Sequence, residues 1–223
     1  MSENKIYKYY NNLAKSYDDN RFENSYGKYI DAQERFFLQS ILNNKSYAKI
    51  LDLGCGTGRL THFATHGVDF SEEMIKIVTK KHPEKSFQVG NITQIPFEIK
   101  FDCIFCFHVI MHQNRENTLK FLEECHQKIT NNGILIFDYP TKNRRRAIST
   151  QEDWHASNSF NDEEIKEILH PNWEIINQTG VLFFPIHRFP NKIRNWFLRI
   201  DNFICRSFMR KWASYQIVVL KKK

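Results

Sequence analysis

The stretch Lys49 to Leu60, K-I-L-D-L-G-C-G-T-G-R-L, places Gly54, Gly56 and Gly58 at alternate positions just after Asp52. Without a Cβ, glycine takes backbone angles closed to other residues and lets a ligand lie against the main chain. Pyrophosphate sites use G-x-G-x-x-G or G-x-x-x-x-G-K-[ST]. Here the run is G-x-G-x-G, and no lysine follows it. A carboxylate at Asp52 repels a pyrophosphate but can hold an ammonium group, directly or through water. The pattern therefore disfavours NAD and ATP. His108 and His112 stand four residues apart, a spacing that fits a zinc pair on a helix, yet no third ligand with helical spacing is near. Cys103 and Cys106 form C-x-x-C inside the apolar run Phe101 to Phe107. Residues three apart on a strand face opposite sides, so these thiols belong to the core rather than to a shared ion or a disulfide. No metal is expected.

These groups need elements to hold them. Ile50, Leu51 and Leu53 make a short buried strand that feeds the glycine turn. Only Thr57 to Thr65 separate that turn from a second strand ending at Asp69, so the intervening helix must be short. Gly67-Val68-Asp69-Phe70-Ser71 reads as strand, acid and helix N-cap, with Glu72 and Glu73 in the first turn and His82-Pro83 closing the helix. Further strands follow at Ser86–Val89, Phe101–Phe107, Ile134–Phe137, Trp173–Thr179 and Tyr215–Leu220. Arg115 to Thr130 is an amphipathic helix stopped by Asn131-Asn132-Gly133. A polar loop carries Arg144, Arg145 and Arg146, and Asn161 with Glu164 forms a capping-box pattern for a helix to Leu169. Upstream of all strands, Ile6 to Leu42 is helical and rich in aromatics.

Asp52 with its G-x-G-x-G resembles motif I of the class I S-adenosylmethionine-dependent methyltransferases, and the likeness extends over about residues 7 to 180. The segments Gly67–Met74, Gly90-Asn91-Ile92, Ile95-Pro96-Phe97, Phe101–Ile104 and Gly133–Ile136 fall in that family's order. The resemblance implies an α/β fold: a Rossmann-like sheet of seven strands with the last one antiparallel, helices on both faces, an N-terminal helical cap over 1–45, a core over 46–223 and a helical insertion at 181–213. It implies S-adenosylmethionine as cofactor, held by Asp52, Gly54, Cys55, Gly56, Gly58, Asp69, Phe70, Met74, Asn91, Ile92 and Phe107. Asp69 would take the ribose hydroxyls, although it follows Gly58 by only eleven residues. Phe70 and Met74 would flank the adenine, and Asn91, standing where the family often has an acid, would accept from its amine. Ala14, Tyr17 and Asp18 match an A-x-x-Y-D pattern of small-molecule methyltransferases, which makes Tyr10, Tyr17 and Arg21 candidate substrate contacts. The corner after the fourth strand faces the methyl group in this fold. If the acceptor is a hydroxyl, His108, His112 and Tyr139 are the candidate bases. Methyl transfer needs none, because orientation alone can supply roughly 7–11 kcal/mol.

Composition bounds the acceptor and the compartment. A chain of 223 residues suffices for one α/β domain. It lacks an apolar run long enough to span a membrane and any signal-like N-terminus, so a cytoplasmic protein is expected. Net charge is 32 − 25 = +7. From Val181 to Lys223 there are ten Lys or Arg and one acid, so the basic excess is local. Within it, Asn191 to Trp212 reads as a basic amphipathic helix, with Ile193, Trp196, Phe197, Ile200, Phe203, Ile204 and Phe208 on one face and Lys192, Arg199, Arg206 and Arg210 on the other. It suggests a substrate lid, a peripheral contact with an anionic membrane through 192–212, or simply an apolar face packed on the core with its arginines solvated. The fourth strand lacks an N/D-P-P-Y/F ending, no Pro-Cys pair offers a nucleophile for cytosine, and no Asp/Asn cluster suggests magnesium. The expected function is methyl transfer to a small-molecule or lipid-type acceptor. An RNA methyltransferase using the basic C-terminal region and a cofactor-binding protein without catalysis are the alternatives.

Overall fold

The computed structural model describes residues 3–43, 47–146 and 159–223. Helices α1 (Glu3–Leu13), α2 (Tyr17–Arg21) and α3 (Ser25–Leu42) precede the first strand. Strands β1 (Ile50–Leu53), β2 (His66–Asp69), β3 (Ser86–Val89), β4 (Phe101–Cys106), β5 (Ile129–Pro140), β6 (Trp173–Val181) and β7 (Tyr215–Lys222) form one sheet in the order β3-β2-β1-β4-β5-β7-β6. The pairings among β3, β2, β1, β4 and β5 are parallel, whereas β7 runs antiparallel to both β5 and β6. The seven-stranded sheet with an antiparallel last strand is thus as expected.

The central strands are apolar at consecutive positions because both faces of the sheet are covered. On one face Ile104, Cys106, Leu135 and Phe137 pack with Phe121, Leu122 and Cys125 of α5 (Arg115–Lys128). On the other, Cys103, Phe105, Ile134 and Ile136 pack with Phe37 and Leu38 of α3. Cys103 and Cys106 therefore lie in different halves of the core, and neither is in a disulfide.

Three local expectations differ. Between the glycine turn and β2 there is no α-helix, only a single 3-10 turn at Thr61–Phe63. That shortening accounts for the unusual spacing of Asp69. Helix α5 ends at Lys128 and β5 starts at once, so Asn131-Asn132-Gly133 lies within a strand rather than stopping a helix. Lys142–Arg146 forms a short helix, α6, where a loop was expected; the rest of that polar segment lies largely outside the described residues.

Helix α4 (Glu72–Lys81) follows β2, with Ser71 as N-cap accepting from the Met74 N–H at 3.3 Å. Helix α7 (Asp162–Leu169) has its capping box, Asn161 and Glu164 exchanging bonds of 2.8 and 3.0 Å. After β6 come α8 (Asn191–Cys205) and a 3-10 turn at Phe208–Trp212, which return the chain to β7. No helix among the described residues is long and apolar enough to cross a membrane.

Candidate active site

At the carboxyl ends of β1, β2 and β4 the chain encloses a cavity of about 700 Å³. Open parallel sheets bind ligands there, because the loops diverge at the point where strand order reverses. The floor is glycine backbone. Gly54 has φ +83°, and a Cβ on it would come within 2.4 Å of Val109 Cγ2, so only glycine fits between the turn and the residues after β4.

Asp69 closes one end. Its Oδ2 accepts from the Gly56 N–H and its Oδ1 from the Ser71 N–H, both at 2.9 Å. These two bonds tie the glycine turn to the start of α4 and leave a lone pair on each oxygen. Burial pushes the carboxyl up to about 6, because the two amides offset only part of the lost solvation. The group is short of donors, and a vicinal diol supplies two. Phe70, Met74, Asn91 and Ile92 line the same end.

Asp52 lies deeper, beside an adjoining pocket of about 40 Å³ that shares Gly54, Gly56, Tyr17, Phe107 and His108 with the large one. Thr61 Oγ1 donates to it at 2.9 Å, yet burial still pushes its carboxyl up to about 7. A neighbouring ammonium group would relieve that deficit.

The roof comes from the N-terminal helices. Ile6, Tyr7, Tyr10 and Tyr17 line the cavity. Asn11 Oδ1 accepts from Ser71 Oγ at 2.9 Å and from the Glu73 N–H at 3.3 Å, pinning α1 to the head of α4. Asp18 receives the Thr57 hydroxyl, and Lys81 Nζ at 2.6 Å, so α2 is tied to the glycine turn as well. The Asp of the A-x-x-Y-D pattern is thereby a structural tie. Tyr10 Oη lies 2.9 Å from His112 Nε2, and burial raises the phenol well above its ordinary value.

His108 has a different setting. Its Nε2 is 2.7 Å from Glu34 Oε1, its Nδ1 is 3.6 Å from Asp138 Oδ2, and its backbone N–H donates to Asp138 Oδ1 at 2.6 Å. Arg59 Nη2 reaches Glu34 Oε2 at 2.7 Å, and Arg59 Nη1 reaches Asp31 at 2.8 Å. Burial alone would lower the imidazole's pKa, but Glu34 and Asp138 outweigh it and hold it above its ordinary value. Burial alone would raise Glu34, but His108 and Arg59 pull it down to about 2. The His108 ring faces two carboxylates whose charge favours its protonated form, which makes it a poor candidate base. Glu34, His108 and Asp138 offer atoms within 4.8 Å of one another, a spacing a metal could use. Arg59 holds the other oxygen of that carboxylate, so the cluster already carries a cation of its own.

Most of the expected site residues meet here. Gly54, Gly56, Asp69, Phe70, Met74, Asn91, Ile92, Phe107, His108, His112, Tyr10 and Tyr17 all border the large cavity. Five do not. Asp52 and Cys55 border only the small pocket. Gly58 turns away: a Cβ there would meet Val78 of α4 at 2.7 Å, so it serves helix packing. Arg21 stays outside the wall, its charge beside the Tyr17 and Tyr10 hydroxyls. Tyr139 is a correction. It lies fully buried on the opposite face of β5, with its ring 5.9 Å from Phe160, because strand alternation sends Asp138 toward the site and its neighbour away. Glu34, Arg59 and Asp138 were missed. Glu34 had a signal: an acid in register with Ile30 and Leu38 on the buried stripe of α3.

Residues 51–137 match a family model described as a methyltransferase domain. An uncharacterized protein of Methanocaldococcus jannaschii, MJ1252, is 28% identical over 97% of this chain and 90% of its own length. Relatives with methyltransferase in their names align with only about half of this chain and half of their own length. A solved S-adenosylmethionine-dependent methyltransferase of Thermotoga maritima, described as a possible histamine N-methyltransferase, superposes with TM-score 0.71 at 15% identity, over 98% of this chain and 100% of its own. The magnesium protoporphyrin IX methyltransferase of Synechocystis, solved with bound S-adenosylhomocysteine, gives 0.65 at 16% identity over 100% of both chains. Over residues 51–137 the chain is thus similar to the methyltransferase-domain family, and its fold is that of solved methyltransferases whose cofactor is S-adenosylmethionine. The donor set described above, a diol-seeking Asp69 and an ammonium-seeking Asp52 on a glycine floor, fits that group.

Proposed function

We propose that this chain methylates a small acceptor, a free metabolite or a lipid-type molecule, held under the N-terminal helices beside Tyr10 and His112. The observation that carries this reading is the continuity of one cavity from Asp69 to the Tyr10–His112 pair, roofed by α1. An enclosed cleft of this size suits a small ligand beside the cofactor better than a polymer. The small acceptors named for the full-length structural neighbours support the same class.

S-adenosylmethionine supplies an electrophilic methyl on a sulfonium, which is already a good leaving group. Asp69 would hold the ribose hydroxyls, Asp52 the amino end and Phe70 and Met74 the adenine, with Asn91, whose Oδ1 accepts from Thr93, beside its amine. Orientation then does most of the chemistry. Tyr10, kept protonated by burial, orients the acceptor, and His112 takes up its proton. His108, held by Glu34 and Asp138, positions the end of β4 at the cavity wall.

Calorimetry with S-adenosylhomocysteine tests the cofactor half. The wild type should bind, and Asp69→Ala should weaken binding at least roughly tenfold, as expected for losing hydrogen bonds to a charged acceptor. Because the ionised Asp69 accepts on both oxygens and more strongly than the protonated acid, affinity should fall as pH drops through about 6. Tritiated methyl transfer into a fractionated cell extract tests the acceptor half. Label in small metabolites or lipid supports the reading; label in RNA supports the basic-tail alternative, and none at all supports a binding protein.

A further inference from the structure

Helix α8 turns apolar side chains toward solvent. Trp196 is 77% exposed, Ile200 53% and Phe203 78%, and these positions recur on one stripe of the helix. Phe208 at 73% and Trp212 at 42% continue the stripe through the following turn. The opposite side of α8 is the one that docks. Asp201 is fully buried and takes the Tyr29 hydroxyl at 2.9 Å, Asn202 pairs with Gln33 at 2.9 Å, and Arg194 reaches Ser25 at 2.6 Å, all on α3. The helix is therefore held by these polar contacts together with Phe197, which packs on Phe184 and Phe189, and Leu198, while Trp196, Ile200 and Phe203 stay outside. Contiguous exposed aromatics of this size mark an interaction surface.

Charge selects the partner. Lys192, Arg199 and Arg206 lie exposed along the same helix, and Arg206 stacks at 4.7 Å on the exposed Phe36 of α3. The only acid from Val181 to Lys223 is Asp201, and it points inward. Arg210 does not belong to this set, because it is committed to Gln178 and Asp162 at 2.8 and 3.3 Å. Tryptophan and phenylalanine between lysines and arginines, with no exposed carboxylate, is the chemistry of an interfacial helix.

We propose that the Trp196–Ile200–Phe203 face docks on the headgroup layer of an anionic lipid bilayer, with Lys192, Arg199 and Arg206 against the phosphates. A second copy of the chain would bring two like-charged rims together, which makes it the poorer occupant. Helix α8 follows the carboxyl end of β6 and runs alongside α3 from Ser25 to Phe36, so the docked face lies on the outer side of that helical layer. This goes beyond the proposed methyl transfer and stands or falls apart from it.

The test is cosedimentation of the whole protein with phosphatidylcholine vesicles, pure or carrying about 30% phosphatidylglycerol, beside light scattering without lipid. The wild type should pellet with the anionic vesicles and come off in high salt. Trp196→Ala/Phe203→Ala should stay in the supernatant. Lys192→Glu/Arg199→Glu should bind more than about a hundredfold more weakly, since each basic charge is worth roughly fivefold near such a surface. All these side chains are exposed, so both variants should keep the wild-type melting temperature and S-adenosylhomocysteine affinity. A wild type left in the supernatant at low salt overturns the proposal. So does equal binding by the variants, or a wild-type dimer that Trp196→Ala/Phe203→Ala dissolves.

Discussion

His108 sits at φ +60°, a left-handed conformation that costs a non-glycine residue roughly 1–3 kcal/mol. The Asp138 carboxylate on its N–H and the Glu34 carboxylate on its ring hold it there. Burying this cluster makes sense only while every charge has a partner. Glu34→Gln should therefore destabilise the protein near neutral pH, by less than the roughly 3–5 kcal/mol of a fully broken buried pair, because it takes from His108 and Arg59 one of the two carboxylates that each faces. The pH dependence follows from the direction of the shift. Glu34 is held below its ordinary value, so its contribution is complete above about 4.5 and is lost as pH falls toward about 2. Denaturation of the two proteins from pH 7 down to pH 3 checks this: the gap should narrow below about 4.5, and a constant gap would mean that Glu34 acts through packing alone.

Helix α1 is the element on which the site most depends and the one with the least support of its own. At eleven residues it is marginal as an isolated helix. What keeps it over the cavity is the Asn11 side chain on Ser71 and Glu73, together with edge contacts such as Tyr7 with Phe70 at 5.9 Å. Asn11→Ala removes an acceptor from two donors at the head of α4. Amide exchange at Tyr7 to Tyr10 should speed up and S-adenosylhomocysteine affinity should fall severalfold, while the global melting temperature moves little. Unchanged exchange in the variant would show that the aromatic contacts alone hold the roof. Tyr10→Phe belongs to the same element. It should preserve cofactor affinity and lower turnover on the acceptor by roughly 10²-fold or more if Tyr10 and His112 handle the proton.

For the whole molecule, stability resides in a sheet covered on both faces. Phe105, fully buried in β4, joins the sheet to the α3 side of the core, where it meets Phe107 at 6.2 Å. Phe105→Ala should cost about 3–5 kcal/mol, and in a domain of this length each kcal/mol lowers the melting temperature by roughly 2–4 °C. A loss much smaller than about 6 °C in calorimetry would mean that the α3 layer can collapse onto the vacated space. The same layer carries Glu34 inward to His108 and supports α8 on its outer side, so core packing, the buried charge cluster and the exposed aromatic face share one helix.

Local chemistry wrote much of this into the sequence. Asp52 with its three glycines, Asp69 before the Ser71 cap, and short continuously apolar strands identify the sheet and the cofactor end, because each depends on neighbours within a few residues. The N-terminal helices announce themselves by aromatic periodicity. What the sequence could not settle depends on partners far along the chain. In β5, buried on both faces, alternation says that Asp138 and Tyr139 diverge but not which one faces the ligand; the pairing with β4 and the position of α3 decide that. His108 looks like a base until Glu34, seventy-four residues earlier, is seen against its ring. The amphipathic pattern of α8 gives a stripe but no direction, and the contacts of Asp201 and Arg194 with α3, with Phe197 packed on Phe184 and Phe189, turn Trp196, Ile200 and Phe203 outward.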